Sequence, residues 1–206
     1  MPNRLKISGI LGLSFVALIA GQRLAASPAR PAAQVEPGRY KLETSHARVL
    51  FSVSHAGLSN WYGEFPGATG TLDLDPGHLE RSRLDVQMPT AGVDTNNAVL
   101  DAELRGDKWL DAARYPTIRF RSRRIVPTGP AAANVVGDLT LHGVTRSVTL
   151  QARFNKAGIN PFAKTYTLGF EVSGSLRRSD FGVTEDVPLV GDEVTLIISA
   201  PFEKLR

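Results

Sequence analysis

Hydrophobic and polar residues alternate along much of the chain, and the stretch 137–150, GDLTLHGVTRSVTL, carries the pattern clearly. Leu139 and Leu141 fall on one parity, Asp138 falls on the other, and the alternation resumes after Gly143. Because successive side chains of a strand point to opposite faces, this stretch predicts a β-hairpin with one apolar face. A lone hairpin is only marginally stable in water, so the apolar face requires a second layer or a closed barrel.

Six further segments alternate in the same way and are separated by turn residues such as Asp75-Pro76-Gly77. Together with the hairpin they predict about eight short strands at regular spacing, which is typical of an all-β sandwich or an antiparallel barrel. The six segments are 48–55, 70–77, 83–88, 116–122, 164–176 and 193–202.

One segment, Asn96 to Leu110, has helical spacing, with Leu100 and Leu104 in an apolar stripe. Asp94, Thr95 or Asn96 could cap its start, and Gly106 is expected to interrupt it. The pattern therefore predicts one short helical insertion within an otherwise all-β domain.

The N-terminus has the layout of a secretory signal: Arg4 and Lys6 precede an apolar run from Ile7 to Gly21, and small residues follow. The run is shorter than the roughly 20 residues that a membrane-spanning helix needs, so an uncleaved anchor is the weaker interpretation. We expect a signal peptide over 1–26, a proline-rich linker over 27–38 and one domain over 39–206. The protein is then periplasmic or secreted.

Composition and charge narrow the function classes. The formal net charge is +4, but three of the basic residues lie in the signal segment, which leaves 21 Lys and Arg residues against 20 acidic ones. A nucleic-acid partner is therefore not expected. The chain has no cysteine, which excludes disulfides and a thiol nucleophile.

Motifs for metal binding or catalysis are missing from the sequence. The four histidines do not have metal-ligand spacing, and neither a GxSxG elbow nor a phosphate-binding glycine loop occurs. We predict no enzyme, no catalytic residue and no metal site.

Two groups of polar residues have both a structural and a functional interpretation. His55 shares a strand face with Phe51 and Val53, so it is either a core histidine bonded to the backbone or a polar group at the entrance of an apolar cavity. Arg178 and Asp180 form either a surface ion pair or an anion-binding turn.

Six motifs in the order found here resemble those of the YceI-like lipid- and polyisoprenoid-binding family. They are YKLETSHARVLFSVSHAG, YGEFPGATGTLDLD, YPTIRFRS, GDLTLHGVTRSVTL, RRSDFGV and VGDEVTLII, between Tyr40 and Phe202. The resemblance implies an extended eight-stranded antiparallel, lipocalin-like barrel with a short helical insertion. It also implies that the lumen holds an isoprenoid-type lipid, either a polyprenyl phosphate or an isoprenoid quinone, for storage or transport in the periplasm.

The resemblance also assigns residues. Those that match the family motifs are His46, His55, Gly63, Phe65, Arg178, Asp180, Phe181 and Gly182. The chain departs from the family at Glu43, where Asp is usual, at Ala47, where Ser is common, and at Glu103, which replaces a family histidine in LDAEL. The last difference puts cavity gating or ligand choice in question.

The predicted ligand-binding residues fall into two groups. The lumen residues are Phe51, Val53, Phe65, Leu139, Leu141, Phe170 and Leu196, and the residues for the polar end of the ligand are His55, Trp61, Arg178 and Asp180. No cofactor is expected apart from the bound lipid or quinone. Two alternatives stay open: a quinone held for a membrane redox partner, and a lipid hydrolase or isomerase with His55 as base. A homodimer rests on the family resemblance alone.

Overall fold

The structure, a computed structural model, describes residues 35–206, so the predicted signal peptide and most of the linker lie outside the described residues. Over this range the chain forms ten β-strands, one α-helix and three 3-10 helices. The strands are β1 (Gly38–Leu42), β2 (Arg48–His55), β3 (Ser59–Glu64), β4 (Thr69–Leu74), β5 (Arg83–Pro89), β6 (Thr117–Gly129), β7 (Ala132–Leu141), β8 (Val144–Ile159), β9 (Tyr166–Arg177) and β10 (Val190–Lys204). The helix is α1 (Ala98–Arg105), and the 3-10 helices are Leu79–Arg81, Thr90–Gly92 and Arg178–Phe181.

Eight of the strands close into an antiparallel barrel. The order runs from β1 through β4 to β10 without a gap, and β10 pairs back onto β1. The closing pair is short, with Tyr40 opposite Lys204 and Leu42 opposite Phe202. The predicted all-β, eight-stranded antiparallel barrel with a short helical insertion is confirmed.

The ring does not contain the same eight strands that the sequence pattern predicts. Segment 48–55 is strand β2, but β2 pairs with β10 and β3 and is not one of the strands that close the ring. The closing strand β1 was not predicted, and neither was β3. Strand β2 continues the same edge of β10 beyond β1, so the β2–β3 hairpin extends one half of the barrel wall.

The helical insertion is shorter than the sequence predicts. Helix α1 begins at Ala98 and not at Asn96, because Asn97 is the N-cap: its side-chain oxygen accepts hydrogen bonds from the backbone N–H groups of Val99 (3.1 Å) and Leu100 (3.2 Å). The predicted caps Asp94, Thr95 and Asn96 are therefore wrong. The helix ends at Arg105, before Gly106, as the position of the glycine indicated.

The strands place apolar residues of one parity in the lumen. In the β7–β8 hairpin, Leu139 and Leu141 are buried, and Val135 and Leu150 lie opposite each other in the register. Directly opposed residues of antiparallel strands project from the same face, so both strands contribute their apolar set to the interior. The apolar face of the opening stretch 137–150 therefore encloses the lumen of the barrel.

Candidate functional site

A cavity of about 170 Å³ occupies the half of the barrel that α1 covers. Among the described residues that line it, Arg178 is the one charged side chain. All the others are apolar: Val49, Phe51, Val53, Phe65, Met88, Val93, Leu104, Trp109, Leu110, Ile118, Phe120, Leu139, Leu141, Val148, Leu150, Leu176, Val183, Val190, Val194, Leu196 and Ile198. Such a wall suits the apolar part of a ligand.

The register of β2 on β10 explains one side of this wall. Phe51 lies opposite Leu196 and Val53 opposite Val194, and all four side chains line the cavity. Leu50, which precedes Phe51 and has the opposite parity, is 40% exposed on the outside of the barrel. Alternation along β2 thus separates a ligand-facing set from an outer set.

Gly63 makes room for Phe51. A Cβ atom at Gly63, which lies opposite Phe51 in β3, would come within 2.4 Å of the phenyl ring. The Phe51 ring also packs against Phe65, with ring centroids 5.4 Å apart. The Gly-x-Phe match to the family therefore has a structural reason, because it seats two aromatic rings of the cavity wall.

Residues 90–116, the insertion between β5 and β6, form the cover of the cavity through Val93, Leu104, Trp109 and Leu110. Arg105 fastens the helix to the start of the insertion, because its Nε donates to the carbonyl of Ala91 (2.8 Å) and its Nη2 to that of Val93 (2.9 Å). The cover is thus held by specific polar contacts as well as by apolar packing.

Glu103, the residue at the family's histidine position, belongs to this cover. Its Oε1 accepts a hydrogen bond from the indole Nε1 of Trp109 at 3.2 Å. The Trp109 ring in turn lies 5.1 Å from the guanidinium carbon of Arg178. Glu103 therefore orients a cavity-lining aromatic ring and does not itself line the cavity.

Arg178 is 5% exposed and is held by backbone carbonyls of the loop before β10 and of the first two residues of β10. Its Nε donates to the carbonyl of Gly191 (2.9 Å), its Nη1 to Val183 (3.1 Å) and its Nη2 to Val190 (2.8 Å). Burial lowers the pKa of the guanidinium, whereas nearby Asp192 raises it. Arg178 lines the cavity, but its three guanidinium nitrogens donate to these backbone carbonyls, and the surface that the wall presents to the cavity is apolar.

Seven of the predicted binding residues come together at this cavity: Phe51, Val53, Phe65, Leu139, Leu141, Arg178 and Leu196.

The other four predicted binding residues do not line the cavity. His55 is exposed at the end of β2 and its ring contacts Trp61 edge-on at 6.2 Å. Asp180 is exposed on the 3-10 helix, where its backbone carbonyl accepts from Arg146 Nε (3.1 Å). Phe170 packs with other aromatic residues in the opposite half of the barrel. Contact of any of these residues with a ligand stays a prediction.

Several cavity residues were not proposed from the sequence. Val49 shares the parity of Phe51, and Ile118 and Phe120 alternate in β6, so strand period could have identified them. Trp109 and its contact with Arg178 had no such signal, because a loop brings the two together from distant parts of the chain.

The first part of the first family motif, Glu43 to His46, lies away from the cavity, in the turn between β1 and β2. The Glu43 carboxylate accepts from Ser45 Oγ (2.5 Å) and contacts His46 Nδ1. Burial would raise the pKa of Glu43, but the hydrogen bonds from Ser45 and His46 outweigh it and lower the pKa to about 2. This cluster fixes a turn of the barrel.

Within residues 35–206, no group of three or more histidine and carboxylate side chains is placed to hold a metal ion. The same range contains no helix that is both long enough and apolar enough to cross a membrane.

A closed antiparallel barrel with an apolar lumen defines a class of proteins that enclose small apolar ligands. Residues 40–202 match the model of the YceI-like domain. A UPF0312 protein of Ectopseudomonas mendocina is 36% identical over 183 residues, which cover 89% of this chain and 90% of the relative. A UPF0312 protein of Yersinia pestis is 35% identical over 194 residues, or 92% of this chain and 94% of the relative. The chain therefore belongs to the YceI-like family.

Solved structures share the fold. BcnA of Burkholderia cenocepacia superposes with a TM-score of 0.71 at 23% identity, covering 78% of this chain and 98% of that chain. A polyisoprenoid-binding domain from Saccharophagus degradans, implicated in plant cell wall breakdown, gives a TM-score of 0.64 at 13% identity, covering 82% of this chain and 100% of that chain. At these identities the likeness concerns the barrel architecture.

Proposed function

We propose that this protein binds an isoprenoid-type lipid, with the prenyl chain in the cavity and the polar end at Arg178. The observation that carries the proposal is an apolar cavity with one buried, charged side chain in its wall. Apolar burial contributes about 25 cal/mol per Å², but it has no direction. The single guanidinium therefore orients the ligand.

The chemistry of Arg178 favours an anionic or strongly accepting head group. A guanidinium has five N–H donors, and three of them are given to backbone carbonyls. The remaining donors suit a phosphate, which accepts charge-assisted hydrogen bonds in a fork geometry. A polyprenyl phosphate is the first choice, and an isoprenoid quinone, whose carbonyl also accepts from N–H, is the second.

We infer that the protein binds its lipid for storage or transport and does not catalyse a reaction on it. The family's matched solved domain from Saccharophagus degradans is described as polyisoprenoid-binding, which supports the ligand class. His55, the base of the alternative hydrolase or isomerase, does not line the cavity. A catalytic base must lie within hydrogen-bond reach of the proton that it abstracts.

Location is part of the proposal. Export to the periplasm or the medium follows from the signal-like segment 1–26, which lies outside the described residues. N-terminal sequencing of protein recovered from the periplasmic fraction is expected to begin near Ala26 or Ala29. A mature protein that starts at Met1 contradicts cleavage.

Solvent extraction of protein purified from its native host, followed by mass spectrometry, tests the bound ligand. We expect an isoprenoid with a phosphate or quinone end. The Phe51→Asp variant is expected to carry none, because an unpaired buried charge opposes an apolar ligand. Leu50→Asp, its neighbour on the outer face, is the matched control and keeps its load. An ordinary fatty acid in the wild-type extract, or full loading of folded Phe51→Asp, overturns the proposal.

A further inference from the structure

Three phenylalanines from neighbouring strands form an aromatic cluster inside the barrel. Phe154 lies opposite Phe170 in the β8–β9 register, with ring centroids 5.5 Å apart. Phe170 also meets Phe202 of β10 edge-on, with centroids 6.2 Å apart. We use "aromatic cluster" for Phe154, Phe170 and Phe202.

The aromatic cluster lies beyond the inner end of the cavity. On β9 the cavity wall includes Leu176. Phe170 precedes Leu176 by six positions and points to the same face, which places it roughly 20 Å along the strand at about 3.3 Å per residue. On β10 the last lining residue is Ile198, and Phe170 lies opposite Ala200, the next inward position. An apolar chain that enters from Arg178 therefore reaches the aromatic cluster after crossing the cavity.

Side chains fill the barrel beyond the aromatic cluster. Leu168 and Tyr40 are fully buried, and Leu72 is 5% exposed. The Tyr40 hydroxyl donates to the carbonyl of Glu36 (2.5 Å), and burial raises the pKa of this tyrosine to about 12. This end of the lumen is packed with side chains, so it offers little space for additional ligand.

The size of the cavity agrees with a short ligand. Its volume of about 170 Å³ is near that of an engineered apolar cavity that holds benzene, roughly 150 Å³. Pockets for larger organic ligands occupy about 300–1,000 Å³. A long polyisoprenoid exceeds the space between Arg178 and the aromatic cluster.

We propose that the aromatic cluster sets the length of isoprenoid chain that this barrel accepts, so that the protein selects short prenyl chains. The inference rests on the proposed function, because it assumes that a prenyl chain occupies the cavity. Phe170 is the specificity-determining residue, because it touches both other rings and lies opposite Ala200 at the inner limit of the cavity.

Calorimetric titration with a series of prenyl phosphates, from geranyl and farnesyl to geranylgeranyl and longer chains, tests the proposal with the full chain. Each additional buried methylene group strengthens binding about fourfold. In the wild type this gain is expected to stop at the chain length that reaches Phe170. In Phe170→Ala the gain continues for at least one more isoprene unit.

Two variants guard against loss of folding. Phe170→Leu keeps an apolar side chain and is expected to lengthen the limit by less than Phe170→Ala. Gly174→Val acts in the opposite direction: a Cβ atom there approaches Leu150 Cδ2 of the cavity wall at 2.8 Å, so the added side chain shortens the accepted ligand. Phe162→Ala, which removes a 94% exposed ring, is the control and leaves the limit unchanged.

The outcomes separate the two proposals. If the wild type binds neither a prenyl phosphate nor an isoprenoid quinone of any length, the proposed function fails. If the wild type binds them but the length limit is the same in Phe170→Leu, Phe170→Ala and Gly174→Val, the aromatic cluster does not set the limit. A limit that moves outward in the Phe170 variants and inward in Gly174→Val supports the inference.

Discussion

Arg178 combines two roles at the scale of a single residue. Its guanidinium donates to the carbonyl of Val183 in the loop before β10 and to those of Val190 and Gly191 in β10, and the same side chain lines the apolar cavity. A buried charge is costly, and here three backbone carbonyls and the nearby carboxylates of Asp192 and Asp186 compensate for it. A substitution of Arg178 can separate its effect on the loop from its effect on a ligand. Loss of the loop contacts should weaken binding of every ligand, whereas loss of the charge should weaken binding of an anionic ligand most.

Arg178→Met removes the charge and keeps most of the stem. We expect affinity for a prenyl phosphate to fall by roughly 10- to 100-fold, since hydrogen bonds to charged groups contribute about 1.5–3 kcal/mol. Affinity for the corresponding prenyl alcohol, measured by the same calorimetric titration, should change much less. An equal loss for phosphate and alcohol would mean that the side chain acts only on the loop.

Glu43 is expected to make the free energy of unfolding depend on pH in the acidic range. Hydrogen bonds lower its pKa from 4.5 to about 2 in the folded protein despite its partial burial. The unfolded state therefore binds the proton more readily, and the carboxylate stabilises the fold above pH 4.5, by about 3 kcal/mol. This contribution is lost as pH falls from about 4.5 to about 2.

Urea denaturation of wild type and Glu43→Gln across this pH range measures the effect. The variant is expected to be less stable at neutral pH, and the difference should shrink as pH falls towards 2. Glu185→Gln, which removes a carboxylate paired with Lys108 on the surface, is the control. A stability difference between wild type and Glu43→Gln that stays constant down to pH 2 would contradict this assignment.

At the scale of the element, helix α1 contributes Leu104 to the cover of the cavity, and we expect the stability of the helix to affect how fast a ligand leaves. Asn97→Ala removes the oxygen that caps the first turn, at a cost of about 1 kcal/mol. We expect a lower midpoint in thermal unfolding and faster ligand release, which stopped-flow tryptophan fluorescence can follow through Trp109. Val99→Ala in the same turn, at an 80% exposed position, is the control. Unchanged release in Asn97→Ala would show that the helix need not loosen for exchange.

Elements with a strong period could be predicted from the sequence. The β7–β8 hairpin is predictable because Leu139 and Leu141 alternate with polar residues before the glycine turn, and Val148 and Leu150 do so after it. Strand β3, SNWYGE, has no alternating set of apolar residues that could reveal it in the sequence. It forms because it pairs with β2. Strand β1 is only five residues long and gains its stability from β4 and β10, which are distant in sequence.

For the candidate site, the sequence predicts which residues of a strand share a face, but not where along the lumen they lie. Parity identified Phe51, Val53 and Leu196 as one face, because the period of a strand is fixed. Parity could not show where along the lumen each residue lies, and Phe170 therefore falls in the aromatic cluster and outside the cavity wall. The Trp109–Arg178 contact depends on how a loop folds over the barrel, which no local pattern encodes.

At the scale of the whole molecule, the cavity wall draws on most of the barrel. Strands β2, β5, β6, β7, β8, β9 and β10 each contribute lining residues, and the insertion 90–116 covers them. A ligand in this position contacts strands that are far apart in sequence. Binding to the folded state alone must therefore stabilise the entire domain by mass action.

Thermal unfolding with and without a short prenyl phosphate measures this coupling. At a ligand concentration about 100-fold above Kd the domain gains about 2.7 kcal/mol. For a domain of this size that gain raises Tm by roughly 5–10 °C. Leu50→Asp, on the outer face, is expected to keep the full increase, whereas Phe51→Asp, one residue further along β2, should lose it because its charge lies in the cavity wall. An equal increase of Tm in both variants would place the ligand on the outside of the barrel, since only an external site is indifferent to a charge at Phe51.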